Sequence, residues 1–196
     1  MDAGGNIMRK IQKGHYGYIR ARKKTLLIRT IILFLGVFIL LAMGFALTHT
    51  KKNLLTVAAI VSVLPAANQA VVLFALLPYH GREREEYESV REMVGNGILD
   101  TELILTSKND RSMPIDYAYV HPTGLYCFSS DSKLDIPKTE QYIRTMLKTN
   151  HLNTHVKLFR DFRQFQRRLR ELEPVDRNTC EEKLLKIEGV LRAISI

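Results

Sequence analysis

The sequence predicts an α+β protein in two parts, a two-helix transmembrane hairpin and a following cytoplasmic domain with the element order αβββαβαα. Three observations predict this class. Two apolar stretches of membrane-spanning length lie close together near the N-terminus. The chain after them alternates between strand-like and helix-like hydrophobic patterns, which is typical of an α+β domain. Turn-forming residues separate those patterns from one another.

The two apolar stretches are residues 25–48 and 54–78. At about 1.5 Å per residue, either stretch can cross a hydrocarbon core of about 30 Å as a helix. Only residues 49–53 join them, so we expect two antiparallel helices that cross the membrane twice. A cleaved signal peptide has a shorter apolar region. Burial of both helices inside a soluble protein is the alternative.

Basic residues are concentrated before the first span, in residues 1–24, whereas the loop between the spans holds only Lys51 and Lys52. The positive-inside rule therefore predicts a protein of the cell membrane with both termini in the cytoplasm. From residue 79 onward, basic and acidic residues are equal in number. The net charge of +9 thus reflects the membrane flank, where it favours anionic headgroups, and gives little support to nucleic-acid binding.

Small and polar residues within the spans predict how the helices pack in the membrane. These residues are Gly36, Gly44, Ser62, Pro65, Asn68 and Gln69. Small side chains allow close helix contact, and Pro65 is expected to kink the second span. The amides of Asn68 and Gln69 predict hydrogen bonds between helices, or contacts in a homo-oligomer or with a membrane partner protein. A permeation path in a small channel or transporter subunit is the alternative for these two amides.

Residues 79–196 have the size of one cytoplasmic domain. The predicted elements are, in order, a helix within 81–97, strands at 98–107, 113–121 and 124–130, a helix at 137–150, a strand at 155–160, and helices at 161–173 and 176–194. Pro122, Thr123 and Gly124 predict a hairpin between the second and third strands. Cys127 alternates with the apolar face of its strand and is predicted to be a core residue. Two cysteines are too few for a zinc knuckle or a disulfide framework.

The stretch IDYAYVHPTGLYCFSS, residues 115–130, resembles the signature of the nuclease-related domain (NERD) family. In that signature, Ile-Asp leads into an apolar strand, a Pro-x-Gly turn follows, and a second apolar strand ends in a Glu-x-Lys type triplet. The resemblance extends from Glu83 to Leu169, and the element order there is similar to the core of the restriction-endonuclease-like fold. The membrane hairpin with this domain also resembles a family of two-span membrane proteins from Gram-positive gut bacteria.

The resemblance implies a site in which carboxylates position Mg²⁺ and a lysine stabilises the charge that develops on phosphate. Asp116 matches the family's first metal-binding carboxylate. In register with Asp116, however, the family's second acid falls on Ser129 and its lysine falls on Asp131, so both positions depart from the family.

An acidic-x-Lys triplet does occur two residues later, in Asp131 and Lys133. A site of Asp116, Asp131 and Lys133, with the two aspartates holding the metal, is therefore the active alternative. A shift of two residues moves these groups about 6.6 Å along the strand. A β-bulge would have to absorb that displacement.

A basic stripe is expected near the last strand and the helix that follows it. Its members are Arg160, Arg163, Arg167 and Arg170. Arginines at this spacing predict contact with an anionic membrane surface or with nucleic acid. A solvated face without a ligand is the alternative.

The sequence therefore favours a membrane-anchored protein whose nuclease-like cytoplasmic domain has lost its active centre and serves interaction or scaffolding. The expected partner is the lipid bilayer, and no cofactor is expected. The alternative is a membrane-tethered, Mg²⁺-dependent nuclease that acts on DNA, with Asp116, Asp131 and Lys133 as catalytic residues.

Overall fold

The computed structural model of the protein describes residues 13–48, 54–107, 112–173, 175 and 182–196. These residues form two compact units. One unit is residues 19–80, and the other joins the described residues up to Tyr18 to those from Gly81 onward. The predicted loop 49–53, the first half of the predicted basic segment and residues 176–181 of the last predicted helix lie outside the described residues.

The unit of residues 19–80 is built on two long helices, α1 (Tyr18–Thr48) and α2 (Leu54–Leu76). Their 31 and 23 residues correspond to about 46 and 35 Å. Helix α1 begins at Tyr18 rather than at residue 25, because the Lys and Arg residues that precede the apolar stretch are good helix formers.

Both helices are long and apolar enough to cross a membrane. Only 17% of the most apolar window of each helix is buried, and Phe38 and Leu64 are 70% and 72% exposed. Large apolar side chains in the core of a soluble protein are mostly buried. This exposure is compatible with a membrane location and disagrees with the soluble-core alternative.

Several buried positions in this unit recur every seven residues. Among them are Thr30, Val37 and Gly44 in α1 and Ala59, Ala66 and Leu73 in α2, and Ile19, Leu26 and Leu76 are buried as well. A repeat of seven is typical of helices packed along one stripe. At the base of the pair, Lys23 Nζ donates a hydrogen bond of 2.8 Å to the carbonyl oxygen of Leu77.

The residues predicted to shape packing in the membrane take different positions. Gly44 is buried, whereas Gly36 is exposed and a Cβ added there would meet nothing within 4 Å. Ser62 Oγ donates to the carbonyl oxygen of Ala58 at 2.8 Å, so its hydroxyl is satisfied within its own helix. Pro65 lies inside α2, which continues through it. Asn68 is exposed and Gln69 is partly exposed.

The second unit has the predicted order of helices and strands. Its elements are α3 (Arg84–Val94), β1 (Ile98–Leu105), β2 (Met113–His121), β3 (Gly124–Phe128), α4 (Ile136–Thr149), β4 (Val156–Phe159), α5 (Phe162–Arg170) and α6 (Glu182–Ala193). The α+β class is therefore confirmed, and each predicted strand and helix is present, most of them with slightly shorter bounds.

The four strands form one mixed sheet in the order β1-β2-β3-β4. Strands β1, β2 and β3 are an antiparallel meander, and β4 joins β3 in parallel after α4. Gly124 begins β3 where a Cβ would lie 2.8 Å from the carbonyl oxygen of His155. The absence of a side chain there allows the amide of Leu125 to donate to the same oxygen at 2.7 Å.

The sheet carries a hydrophobic cluster on each face. Ala118, Val120, Leu125 and Cys127 belong to one cluster, which also includes residues of α4 and α6. Tyr117, Tyr119, Tyr126 and Phe128 belong to the other, together with residues of α3 and α5. Cys127 is fully buried, as predicted. Burial raises the pKa of its thiol, so Cys127 is a core residue rather than a thiolate nucleophile.

Side chains of β2 alternate between the two faces of the sheet, but this alternation is interrupted between Ile115 and Tyr117. Ile115 and Tyr117 are two residues apart but belong to different clusters. Across the ladder, Glu102 has a positive φ of 54°, and register pairs are formed on either side of it. Asp116 lies at this break in β2. The hairpin residue of greatest predicted interest therefore lies at an irregularity of the sheet.

Both ends of the described chain cover the edge strand β1. The amide of Thr101 donates to the carbonyl oxygen of Gly14 at 2.9 Å, and the amide of Ile196 donates to that of Ile104 at 3.0 Å. Arg192 of α6 donates to Asp100 Oδ1 at 2.6 Å, and Asp100 is fully buried. Residues 13–17 are thus part of this unit, although the sequence assigns them to the membrane flank.

Candidate functional site

The hairpin of β2 and β3 sets the geometry of the predicted site. Tyr117 pairs with Phe128 in an antiparallel register. The next residues along the two strands, Asp116 and Ser129, therefore lie opposite each other. The alignment of Ser129 with the second acidic position of the NERD signature depends on this register.

Asp116 is partly buried and already bonded. Its Oδ2 accepts a hydrogen bond of 2.6 Å from the amide of Ser130. Burial raises the pKa of Asp116, the hydrogen bonds from Ser130 and the positive charge of Arg82 lower it, and the negative charge of Asp131 raises it. Desolvation dominates, so ionisation of this carboxyl is less favourable than in water.

Ser129 has little capacity for a ligand. Its side chain is almost fully buried. Its Oγ donates to the carbonyl oxygen of Pro114 at 2.7 Å and accepts from the amide of Asp131 at 3.3 Å. The hydroxyl therefore ties the two strands together at the place where the family carries a carboxylate.

Asp131 and Lys133 lie in the turn after β3. Asp131 Oδ1 accepts from the amide of Lys133 at 2.9 Å, which closes a local turn. Both residues line a depression of about 160 Å³ next to the start of α4, together with Asp135 and Lys138. Asp116 is not among the residues that line it. Asp131 is close enough to raise the pKa of Asp116, but the three residues of the active alternative do not line one pocket.

Arg82 is a component of the site that the sequence analysis did not find. Its guanidinium pairs with Glu86 at 2.7 Å and lies over the ring of Phe128, 5.7 Å from the centroid. Its positive charge lowers the pKa of Asp116 and also that of Tyr117, which burial raises. The guanidinium of Arg82 therefore lies close enough to Asp116 of β2 to act on its charge.

Arg82 is held in place from a second direction. Its carbonyl oxygen accepts a hydrogen bond of 3.2 Å from the hydroxyl of Tyr16, and the ring of Tyr16 stacks on that of Tyr87 at 4.6 Å. The Arg-x-x-x-Glu spacing of Arg82 and Glu86 was the available sequence signal. The contact with Phe128 spans 46 positions of the chain and has no local signal.

The donor set around Asp116 does not fit Mg²⁺. Mg²⁺ requires an octahedron of oxygen ligands with carboxylates among them. Here the Asp116 carboxylate lies opposite the Ser129 hydroxyl, which is already bonded to Pro114, and the positive charge of Arg82 acts on the same carboxylate. No group of three or more His, Cys, Asp or Glu side chains that could hold a metal ion occurs in the part of the chain that the structure describes.

The predicted basic stripe divides into two places. Arg163, Arg167 and Arg170 line one depression on α5, with Gln166 and Glu171. Arg160 precedes α5, and its guanidinium donates to the carbonyl oxygen of Leu134. Arg160 is exposed as well but is bonded elsewhere, so the three arginines of α5 alone share one depression.

A scan against protein-family models finds no match for the chain, and searches of curated proteins and of solved structures find none.

Proposed function

We propose that the protein is a membrane-anchored interaction or scaffolding protein whose second unit is a NERD-like, restriction-endonuclease-like domain without a working active centre. In this proposal α1 and α2 cross the cell membrane, and both termini lie in the cytoplasm. The basic residues before the first apolar stretch support that orientation. The bilayer is the first partner of the protein, and a membrane protein or a second copy is a further partner.

The arrangement of the second unit supports the proposed fold. A helix, a three-strand meander and an αβ connection to a parallel fourth strand follow one another, which is the order that the resemblance implies. The hairpin with the NERD-like residues is β2 and β3, at the centre of that sheet.

The position of Arg82 is the observation that carries the proposed loss of activity. A metal-dependent nuclease of this kind gathers carboxylates so that they attract a divalent cation. Here the cation beside Asp116 and Glu86 is a guanidinium of the chain itself. A fixed positive charge repels Mg²⁺ and compensates the acids without it. Ser129 adds a hydroxyl that is already bonded to Pro114.

Plasmid cleavage tests this proposal. The full-length protein, reconstituted in lipid nanodiscs, is incubated with plasmid DNA and Mg²⁺ or Mn²⁺, beside an active nuclease in the same buffer. We expect no metal-dependent nicking by the protein. Nicking that requires the metal and disappears in Asp116→Ala would refute the loss of activity.

The nuclease alternative has one observation in its favour, which is the electrostatic coupling of Asp131 to Asp116. If these two aspartates and Lys133 act together, Asp131→Asn and Lys133→Gln abolish nicking as Asp116→Ala does. Glu85→Gln, on an exposed position of α3, is the control that leaves nicking unchanged.

A further inference from the structure

Three arginines of α5 form an exposed basic surface. Arg163, Arg167 and Arg170 are exposed and line a depression of about 370 Å³. Glu171 lies at the same depression but pairs with Arg168 at 2.9 Å. Within the described ranges, no carboxylate pairs with the three guanidiniums. Their positive charge is therefore uncompensated.

This surface belongs to the unit that follows α2 in the chain. Phe162, the first residue of α5, has its ring 5.2 Å from that of Phe128, and the guanidinium of Arg82 lies over the same Phe128 ring. Only residues 77–81 separate Arg82 from the end of α2 at Leu76. Helix α5 thus packs against the same aromatic ring as Arg82, and a short connection joins Arg82 to α2.

We propose that this surface, Arg163, Arg167 and Arg170, binds the phosphate groups of anionic lipids in the bilayer that α1 and α2 cross. The inference rests on the proposed membrane anchoring. Guanidinium groups bind phosphate through paired, charge-assisted hydrogen bonds. The short tether raises the effective concentration of headgroups at the surface, which increases the occupancy that three contacts can reach.

The same surface is too small for strong binding to nucleic acid. From Arg163 to Arg170 it extends about 10.5 Å along the helix. Proteins that hold duplex DNA by its backbone make roughly six to ten phosphate contacts. Helix α3 packs beside α5, where Gln166 donates to Ser89 at 3.4 Å. It carries the exposed Glu85, Glu88 and Glu92, so the basic surface does not continue onto α3.

Hydrogen–deuterium exchange of the full-length protein tests the proposal. The protein is placed in nanodiscs of phosphatidylcholine alone or of phosphatidylcholine mixed with phosphatidylglycerol. We expect exchange across residues 162–170 to slow in the anionic nanodiscs and to recover at high salt. At about fivefold for each basic residue near the surface, removing all three arginines shifts the docking equilibrium on the order of a hundredfold.

Three triple variants separate charge from folding. R163Q/R167Q/R170Q removes the slowing, and R163K/R167K/R170K retains most of it because the positive charge is kept. R144Q/K148Q/K183Q removes three exposed cations elsewhere on the unit and leaves the slowing intact. Arg160→Gln also leaves it intact, because that guanidinium is bonded to Leu134.

Equal exchange of α5 in both kinds of nanodisc would overturn the proposal. So would slowing by a DNA duplex in neutral nanodiscs without slowing by phosphatidylglycerol. Anchoring is read separately, from incorporation of the protein into neutral nanodiscs. A failure of lipid docking is therefore distinguishable from a failure of anchoring.

Discussion

Replacement of Arg82 by methionine tests whether its guanidinium stabilises the β2–β3 hairpin. Methionine keeps an unbranched apolar side chain but removes the charge. The ion pair with Glu86 is 27% and 32% exposed and is worth about 0.5 kcal/mol. The contact with the ring of Phe128 adds about 1 kcal/mol. The expected loss is therefore about 1–2 kcal/mol.

Arg84 provides a matched control. Arg84 and Glu88 have the same spacing and the same 2.7 Å separation as Arg82 and Glu86, but they are 81% and 55% exposed. We expect no measurable change from Arg84→Met. The two variants therefore differ mainly in whether the guanidinium reaches the β2–β3 hairpin.

Native-state hydrogen exchange of the full-length protein measures the difference. A loss of 1–2 kcal/mol speeds exchange of the slowest β2 and β3 amides roughly 5- to 30-fold. In the double variant Arg82→Met with Phe128→Leu, the two losses are less than additive because the residues share a contact. Equal exchange rates in Arg82→Met and Arg84→Met would refute the placement of Arg82 at the site.

Three further predictions follow from buried charges and titrating groups. Arg192→Met should destabilise the second unit by about 3–5 kcal/mol, because it removes a cation that pairs with the buried Asp100 and Glu188. Thermal unfolding measures the loss, and Asp100→Asn in the same chain should recover part of it. His121 accepts from the amide of Thr123 and donates to the carbonyl oxygen of Glu173. Burial lowers the pKa of His121 from 6.5, so the stability of the second unit should fall as pH drops through 6.5. His121→Asn should remove that part of the pH dependence. Burial raises the pKa of Asp116 from 3.8, so its ionisation costs stability as pH rises above that value. Asp116→Asn should therefore raise the melting temperature at neutral pH and leave it unchanged below pH 3.8. Equal melting temperatures of the variant and the native chain at neutral pH would contradict the dominance of burial.

The order of elements was predictable because its signals are local. Pro122, Thr123 and Gly124 mark the hairpin in sequence; Pro122 and Thr123 form the turn, and Gly124 begins β3. Cys127 follows the period of two that places it in the core. Asp161 accepts from the amide of Arg163 at the start of α5, as an N-cap does.

The candidate site was predictable only in part, because some of its contacts join residues that are far apart in the sequence. Asp116 and Ser129 could be aligned from the hairpin alone. The position of Arg82 over Phe128, and its fixation by Tyr16, require the tertiary fold. The break at Glu102 and Asp116 also escaped prediction, since a positive φ at a glutamate has no sequence signature.

The proposed loss of nuclease activity requires that Asp116 binds no divalent metal ion. Titration of the full-length protein with Mn²⁺, followed by electron paramagnetic resonance of the free ion, measures this directly. We predict the same free Mn²⁺ for the native chain and for Asp116→Ala at every concentration. Saturable binding of one ion per chain that disappears in Asp116→Ala would contradict the proposed loss of the active centre.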